Sequence, residues 1–254
     1  MMDDLERILT EKGIRFHRMG NRIRCFPHVV NISVQRALRA LGCSSKKGDE
    51  NATNDLNTAL QDDPEYALAL SEDPVRAART LVTKARQSIL RREEFEKIVS
   101  ECIENESFGE GVHPPGTQLL RDVDTRWSST FLMIDRLLSL YPAVQLLMQR
   151  HDPDVLLTDK TLDVLTDIRE FLAIPHSVQE VLSSENTPTA SLALPAYATL
   201  IEILKGAQTK LPRIAHGIQA SINALKEYMA YMRQTRVYAL AMGTGCRLFL
   251  VFVS

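Results

Sequence analysis

A chain of 254 residues is long enough for one large domain or two small ones with a hydrophobic core, and its 44 % apolar and 24 % charged composition excludes a wholly disordered chain or a coiled-coil rod. A formal net charge of −2 removes overall basicity as an argument for nucleic-acid binding, so any such case rests on local patches. Cys25, Cys43, Cys102 and Cys246 form no CxxC pair and point to a reducing compartment, while the acidic start Met1-Met2-Asp3-Asp4 and the short apolar run Leu248 to Val253 supply neither a signal peptide nor the roughly 20 residues of a membrane span.

Charge is unevenly placed along the first 104 residues. Residues 1–43 hold eight bases against four acids, 44–74 two against eight, and 75–104 seven against five. After a helix over residues 2–12, Lys12, Arg15, Arg18, Arg22 and Arg24 follow one another without an intervening acid, a stretch that suits either a solvated loop or a phosphate-facing surface. A second helix is expected from Pro27 to Leu41. Residues 44–74, rich in Ser, Asn and acids, read as an acidic flexible insert.

Past Pro74, apolar residues at three- and four-residue steps predict a single long helix over 75–104. Its first half presents Arg76, Arg79, Lys84, Arg86, Arg91 and Arg92, a basic face that solubility alone can explain. A loop over 105–116 leads into Leu119 to Val123, a short strand candidate, and a helix begins near Arg126. That helix is apolar around most of its circumference, so it should be buried, and Pro142 should kink or restart it. Three further helices are expected: Asp159 to about Leu182 with Pro175 as a break, Leu192 to Gln208, and Pro212 to Arg236. Thr187-Pro188-Thr189 supplies a stop-and-restart signal before the second of them.

The chemistry-bearing residues are few. Cys25 and His28 would share a helix face, but no second Cys/His pair stands at a spacing that would complete a four-ligand zinc site. Asp122 and Asp124 would face one side of a strand and could hold a hard cation, yet acids before Thr125 also suit a helix N-terminus, the reading favoured here. No GxGxxG or GxxxxGK[ST] phosphate loop, GxSxG elbow or HExxH helix occurs.

Gly20-Asn21-Arg22-Ile23-Arg24-Cys25-Phe26-Pro27-His28-Val29-Val30-Asn31-Ile32, taken with Leu119-Leu120-Arg121-Asp122-Val123-Asp124-Thr125-Arg126-Trp127-Ser128-Ser129-Thr130, resembles the central part of hAT-family DNA transposases, especially those of fungal genomes. Ser184-Glu185-Asn186-Thr187-Pro188-Thr189 and Leu194-Pro195-Ala196 look like the family's insertion domain, and the resemblance covers about residues 1–242. It implies a ribonuclease H-like fold whose last core strand passes into a helical insertion domain. It also implies that Cys25 and His28 form a CxxH motif, with the histidine beside an active site. Arg126 and Trp127 would form an RW pair whose exposed indole stacks on a flipped base, a geometry in which aromatic stacking replaces lost base stacking. Arg22 and Arg24 would join His28, Arg126 and Trp127 in contacting DNA.

Family catalysis needs two aspartates and a glutamate holding Mg2+ or Mn2+, and none of the three is found at a matching position; Asp3 and Asp4 fall in the following helix. Residues 243–254 also depart from the family pattern.

The expected fold is therefore mostly α with a small α/β part. A partial ribonuclease H-like segment (1–43), the insert (44–74), the long helix (75–104), a loop and last core strand with the RW pair (105–128), a helical insertion domain (129–242) and an atypical tail (243–254) make it up. The expected function is that of a truncated transposase-derived protein without catalytic residues, metal or cofactor. It would be nuclear, with the cytoplasm as the other compartment, and would bind DNA weakly and non-specifically. It would lie in no membrane and could self-associate or pair with a full-length transposase. The alternatives are a helical protein-interaction module, the product of a decayed coding sequence, or a subunit of an active transposase.

Overall fold

Apolar spacing of three and four residues sets the architecture. The computed structural model describes residues 2–16, 25–43, 58–123, 126–184 and 190–233, and among these the regular structure is helical, with no strand. Helix α1 (Met2–Glu11) closes where Gly13 enters the left-handed region at φ 72° and the Ile14 N–H returns to the Leu9 carbonyl. Helix α2 (Phe26–Ala40) buries Phe26, Val29, Val30, Val34, Ala37 and Leu38, one continuous face at helical spacing, with Pro27 in its first turn.

The stretch expected to be a flexible insert is ordered in its second half. Helices α3 (Thr58–Gln61) and α4 (Pro64–Ser71) occupy it, and Tyr66 and Leu70 enter the core. The reason is capping: Asp63 accepts the Tyr66 N–H at 3.1 Å and Pro64 presets the first helical φ. Residues 44–57 lie outside the described residues.

The long helix expected over 75–104 is two helices. Helix α5 (Pro74–Ala85) starts at the Asp73 cap and stops at Arg86, and α6 (Ile89–Glu104) restarts where Ser88 accepts the Arg91 N–H at 3.2 Å. The break contains neither Gly nor Pro; a serine in extended conformation creates it.

The strand expected over 119–123 is also absent, and no strand among the described residues supports the small α/β part. The described chain here is extended, with one isolated bridge between Val123 and Arg126. Its backbone is tied by arginines where a sheet would have used a neighbouring strand. Arg136 donates to the Gln118 carbonyl at 3.0 Å and the Pro115 carbonyl at 3.4 Å, and Arg86 donates to the Leu119 carbonyl.

Helix α7 (Trp127–Ser139) and helix α8 (Tyr141–His151) are bent by 81° at Leu140, with Pro142 in the first turn of α8, so the proline restarts the helix as its fixed φ and missing N–H dictate. No single described helix is long and apolar enough to cross a membrane. The bent α7–α8 pair meets the length and composition test, but Met133, Ile134, Leu137, Leu140, Val144 and Leu147 are all buried inside this protein. A 3₁₀ turn (Pro153–Val155) follows.

Helix α9 (Asp159–Ser184) runs through Pro175 without the expected break. The proline removes one backbone hydrogen bond, and the packing of α9 against α2, α4, α5, α7 and α10 holds its course. Helix α10 (Ala190–Lys210), a second 3₁₀ turn (Pro212–Ile214) and helix α11 (Ala215–Arg233) complete the described chain; Thr187-Pro188-Thr189 and the tail lie outside it. Helix α11 packs on α2 and α10, α6 packs on α8, and the buried side chains form one contiguous core.

Candidate nucleic-acid interface

The two motif segments meet in space. Helix α7 begins at Arg126, whose side chain makes no cap, so the first N–H groups of the helix need partners from elsewhere. Asn31 on α2 supplies one: its Oδ1 accepts the Trp127 N–H at 3.4 Å across 96 residues of sequence. The start of α7 is thereby fixed against the second turn of α2. Ser129 tightens the same corner, accepting the Val123 N–H at 2.8 Å and donating to the Arg126 carbonyl at 2.7 Å.

Around this junction Cys25, His28 and Arg126 are exposed. Cys25 is the N-cap of α2 and makes no side-chain cap bond, and His28 lies in the first turn. Lys12 and Arg15 are exposed after α1, while Arg18, Arg22, Arg24 and Asp124 lie outside the described residues.

Trp127 departs from expectation. The indole is 2 % exposed, buried at the start of α7 with its ring edge-on to His176 of α9 at 6.3 Å, so no face is open for a base to stack on. His176 also packs on Phe131 at 4.6 Å. The indole is large and apolar, and in the first turn of a helix apolar around most of its girth it is drawn into the core.

Asp122 is likewise committed, but not as the helix cap that was expected. Its Oδ2 accepts Arg79 Nε at 2.6 Å and Thr130 Oγ1 at 3.1 Å, and its side chain is 8 % exposed. The carboxylate ties the extended segment to α5 and α7. Among the described residues no group of three or more His, Cys, Asp or Glu has the arrangement to hold a metal ion.

Half of the basic face of α5 and α6 is spent on ion pairs inside the molecule. Arg79 pairs with Asp122, and Lys84 and Arg91 pair with Asp152 at 3.3 and 2.6 Å. Arg91 first, then Lys84, holds the Asp152 carboxyl below its ordinary range. Sequence reasoning missed Asn31 and His176. Asn31 carries a usable signal, a polar residue beside the apolar face of α2, whereas nothing local marks His176, which lies nearly fifty residues beyond the tryptophan it touches.

A family model described as the ZBED1 RNase-like helical domain matches residues 23–171, more than half of the chain, a span that includes Cys25 and His28 and the Arg126–Trp127 pair. No curated protein and no solved structure matches it. The helical architecture and this match agree: the chain belongs to the ZBED1 RNase-like helical domain family, a transposase-derived group related to the hAT transposases.

Proposed function

We propose that this helical stretch is a DNA-contacting part of a transposase-derived protein and carries no phosphoryl-transfer chemistry of its own. One observation carries the reading: the CxxH and RW segments are brought together by the Asn31–Trp127 bond, with His28 and Arg126 exposed on the outside of the junction. Arg126 and His28, joined by Lys12, Arg15, Arg22 and Arg24, hold the phosphate backbone, and Trp127 positions Arg126 from within the core. Such contacts are weak, non-specific and salt-sensitive because they release counterions. Asp122 already neutralises Arg79, which argues against its serving a divalent ion. The reading places the protein in the nucleus.

Fluorescence anisotropy of a labelled DNA hairpin and a single strand, titrated at two salt concentrations, tests this. Wild-type binding should fall steeply with salt, and Arg126→Gln should weaken it and make the salt slope shallower by about 1. A folded protein that binds neither DNA at low salt ends the proposal. Magnesium-dependent nicking by the wild type, lost in Asp122→Ala with Asp124→Ala, would instead identify a nuclease.

A second reading, a protein-interaction module, draws on Ile89 and Leu90, neighbours at the start of α6 that are 65 % and 76 % exposed. Saturable binding of a protein partner without DNA affinity would favour it.

A further inference from the structure

We propose that the turn between α5 and α6 forms a second phosphate-binding site, in which Arg86, Arg92 and Arg121 take a phosphodiester of a nucleic-acid backbone. The inference rests on the DNA-contacting reading and extends it to a surface outside the CxxH and RW junction. Arg86 caps the C-terminus of α5 and donates to the Leu119 carbonyl; Arg121 donates to the Arg86 carbonyl at 3.5 Å; Arg92 Nε donates to the Ser88 carbonyl at 3.4 Å. The Arg92 and Arg121 guanidinium groups thus reach carbonyls of one turn, Arg86 extends from that turn to Leu119, and all three are held by backbone carbonyls.

Their neighbours are treated differently. Arg79, Lys84 and Arg91 each reach a carboxylate, but among the described residues Arg86, Arg92 and Arg121 form no ion pair. Arg86 Nε is buried without a hydrogen-bond partner, an unmet donor on a charged group. Burial, then the positive charges of Arg121 and Arg92, press the Arg86 guanidinium below its ordinary range. An oxyanion at the outer N–H groups of the cluster cancels this like-charge repulsion and accepts from planar donors, while the buried Arg86 Nε stays out of its reach. The α5 C-terminus, whose dipole favours cations, helps keep the cluster assembled without supplying a counter-ion.

Arg92→Gln with Arg121→Gln tests the site while leaving Arg86, which anchors Leu119, in place. The full chain is measured in two ways: thermal unfolding in inorganic phosphate against chloride at matched ionic strength, and hairpin anisotropy across salt. Phosphate should raise the wild-type Tm more than that of the double variant. The variant should lose about tenfold in hairpin affinity, with a salt slope shallower by about 1. Unchanged affinity and slope in the variant, beside weakened binding by Arg126→Gln, overturn this inference and leave the junction reading standing. A phosphate-dependent Tm difference without any change toward the hairpin overturns it too, because the site would then take free phosphate. If the folded wild type binds no DNA, the junction reading fails and this inference fails with it.

Discussion

Asp167 is 8 % exposed on α9 and accepts three donors: the Tyr66 hydroxyl at 2.7 Å, and Arg213 Nε and one terminal nitrogen at 3.1 and 3.2 Å. The Arg213 guanidinium lies 4.1 Å from the centre of the Tyr66 ring, so one cation serves both a carboxylate and an aromatic face. Burial first, then the bond to Asp167, pushes the Tyr66 phenol well above its ordinary range, and it stays a donor at any working pH. Removing the carboxylate strands the Tyr66 hydroxyl and leaves the partly shielded Arg213 guanidinium with only the more distant Asp63 carboxylate at 4.0 Å. Asp167→Ala should therefore lower the unfolding free energy by about 3 kcal/mol, and Tyr66→Phe, which leaves the Arg213 pair intact, by about 1 kcal/mol. Urea titrations measure both, and an Asp167→Ala midpoint equal to wild type would refute the assignment. Trp127 is open to a sharper test, because a buried indole and a base-stacking indole respond differently. Trp127→Ala should cost about 3–5 kcal/mol of stability by opening a core cavity. Trp127→Phe should remain folded and keep most of its DNA affinity, whereas a stacking role would be cut by loss of the larger ring.

Among the elements, α2 and α11 pack extensively against each other. A Cβ built on Gly217 would lie 2.5 Å from Leu41 Cγ and 2.7 Å from its Cδ2, and Leu41 is itself 2 % exposed, so its side chain has little room to withdraw. Alanine normally gains about 1 kcal/mol over glycine inside a helix. Here overpacking outweighs that gain, and Gly217→Ala should destabilise by about 1–2 kcal/mol net. Adding Leu41→Ala should recover part of the loss, a coupling that a double-mutant cycle in urea reads directly. The same contact shows what a sequence can and cannot disclose. The apolar faces of α2 and α11 follow from spacing, and the turn at Pro142 follows from proline geometry. Which glycine lies under which leucine depends on two helices more than 170 residues apart in sequence. The missed break at Arg86 to Ser88 and the missed helix α4 had local signals, Ser88 and the Asp63-Pro64 pair, that acidic and basic composition obscured. The strand expected at Leu119 to Val123 failed for a non-local reason, since its backbone partners are arginine side chains from α5 and α7. For the candidate site, Arg126 and His28 were legible as exposed basic groups, but the burial of Trp127 was set by a histidine on α9.

For the molecule as a whole, the inter-helix ion pairs make stability depend on pH in a defined direction. Lys160 holds Asp63 of the α4 cap below its ordinary pKa of 3.8, Arg91 does the same for Asp152 at the end of α8, and His151 lowers Glu94 of α6 below 4.5. Each carboxyl binds its proton more readily when unfolded than when folded, so each contributes stability that is present above its unfolded value and lost as pH falls through the folded one. These groups link α4 to α9 and α6 to α8, and their loss acts below about pH 4.5. His216 acts earlier. Burial, opposed in part by the Ala40 carbonyl at the end of α2, places its pKa below 6.5. The unfolded chain takes up this proton first, so stability begins to fall as pH drops below 6.5, at the same α2–α11 contact that Gly217 occupies. Urea unfolding from pH 8 to 3 should show two stages of loss, a shallow one below pH 6.5 and a steeper one below about pH 4.5. His216→Gln should flatten the first stage and leave the second, whereas Asp152→Asn should reduce the second and leave the first. Stability that rises on acidification from pH 7 to 5 would contradict the burial of His216 as a neutral ring.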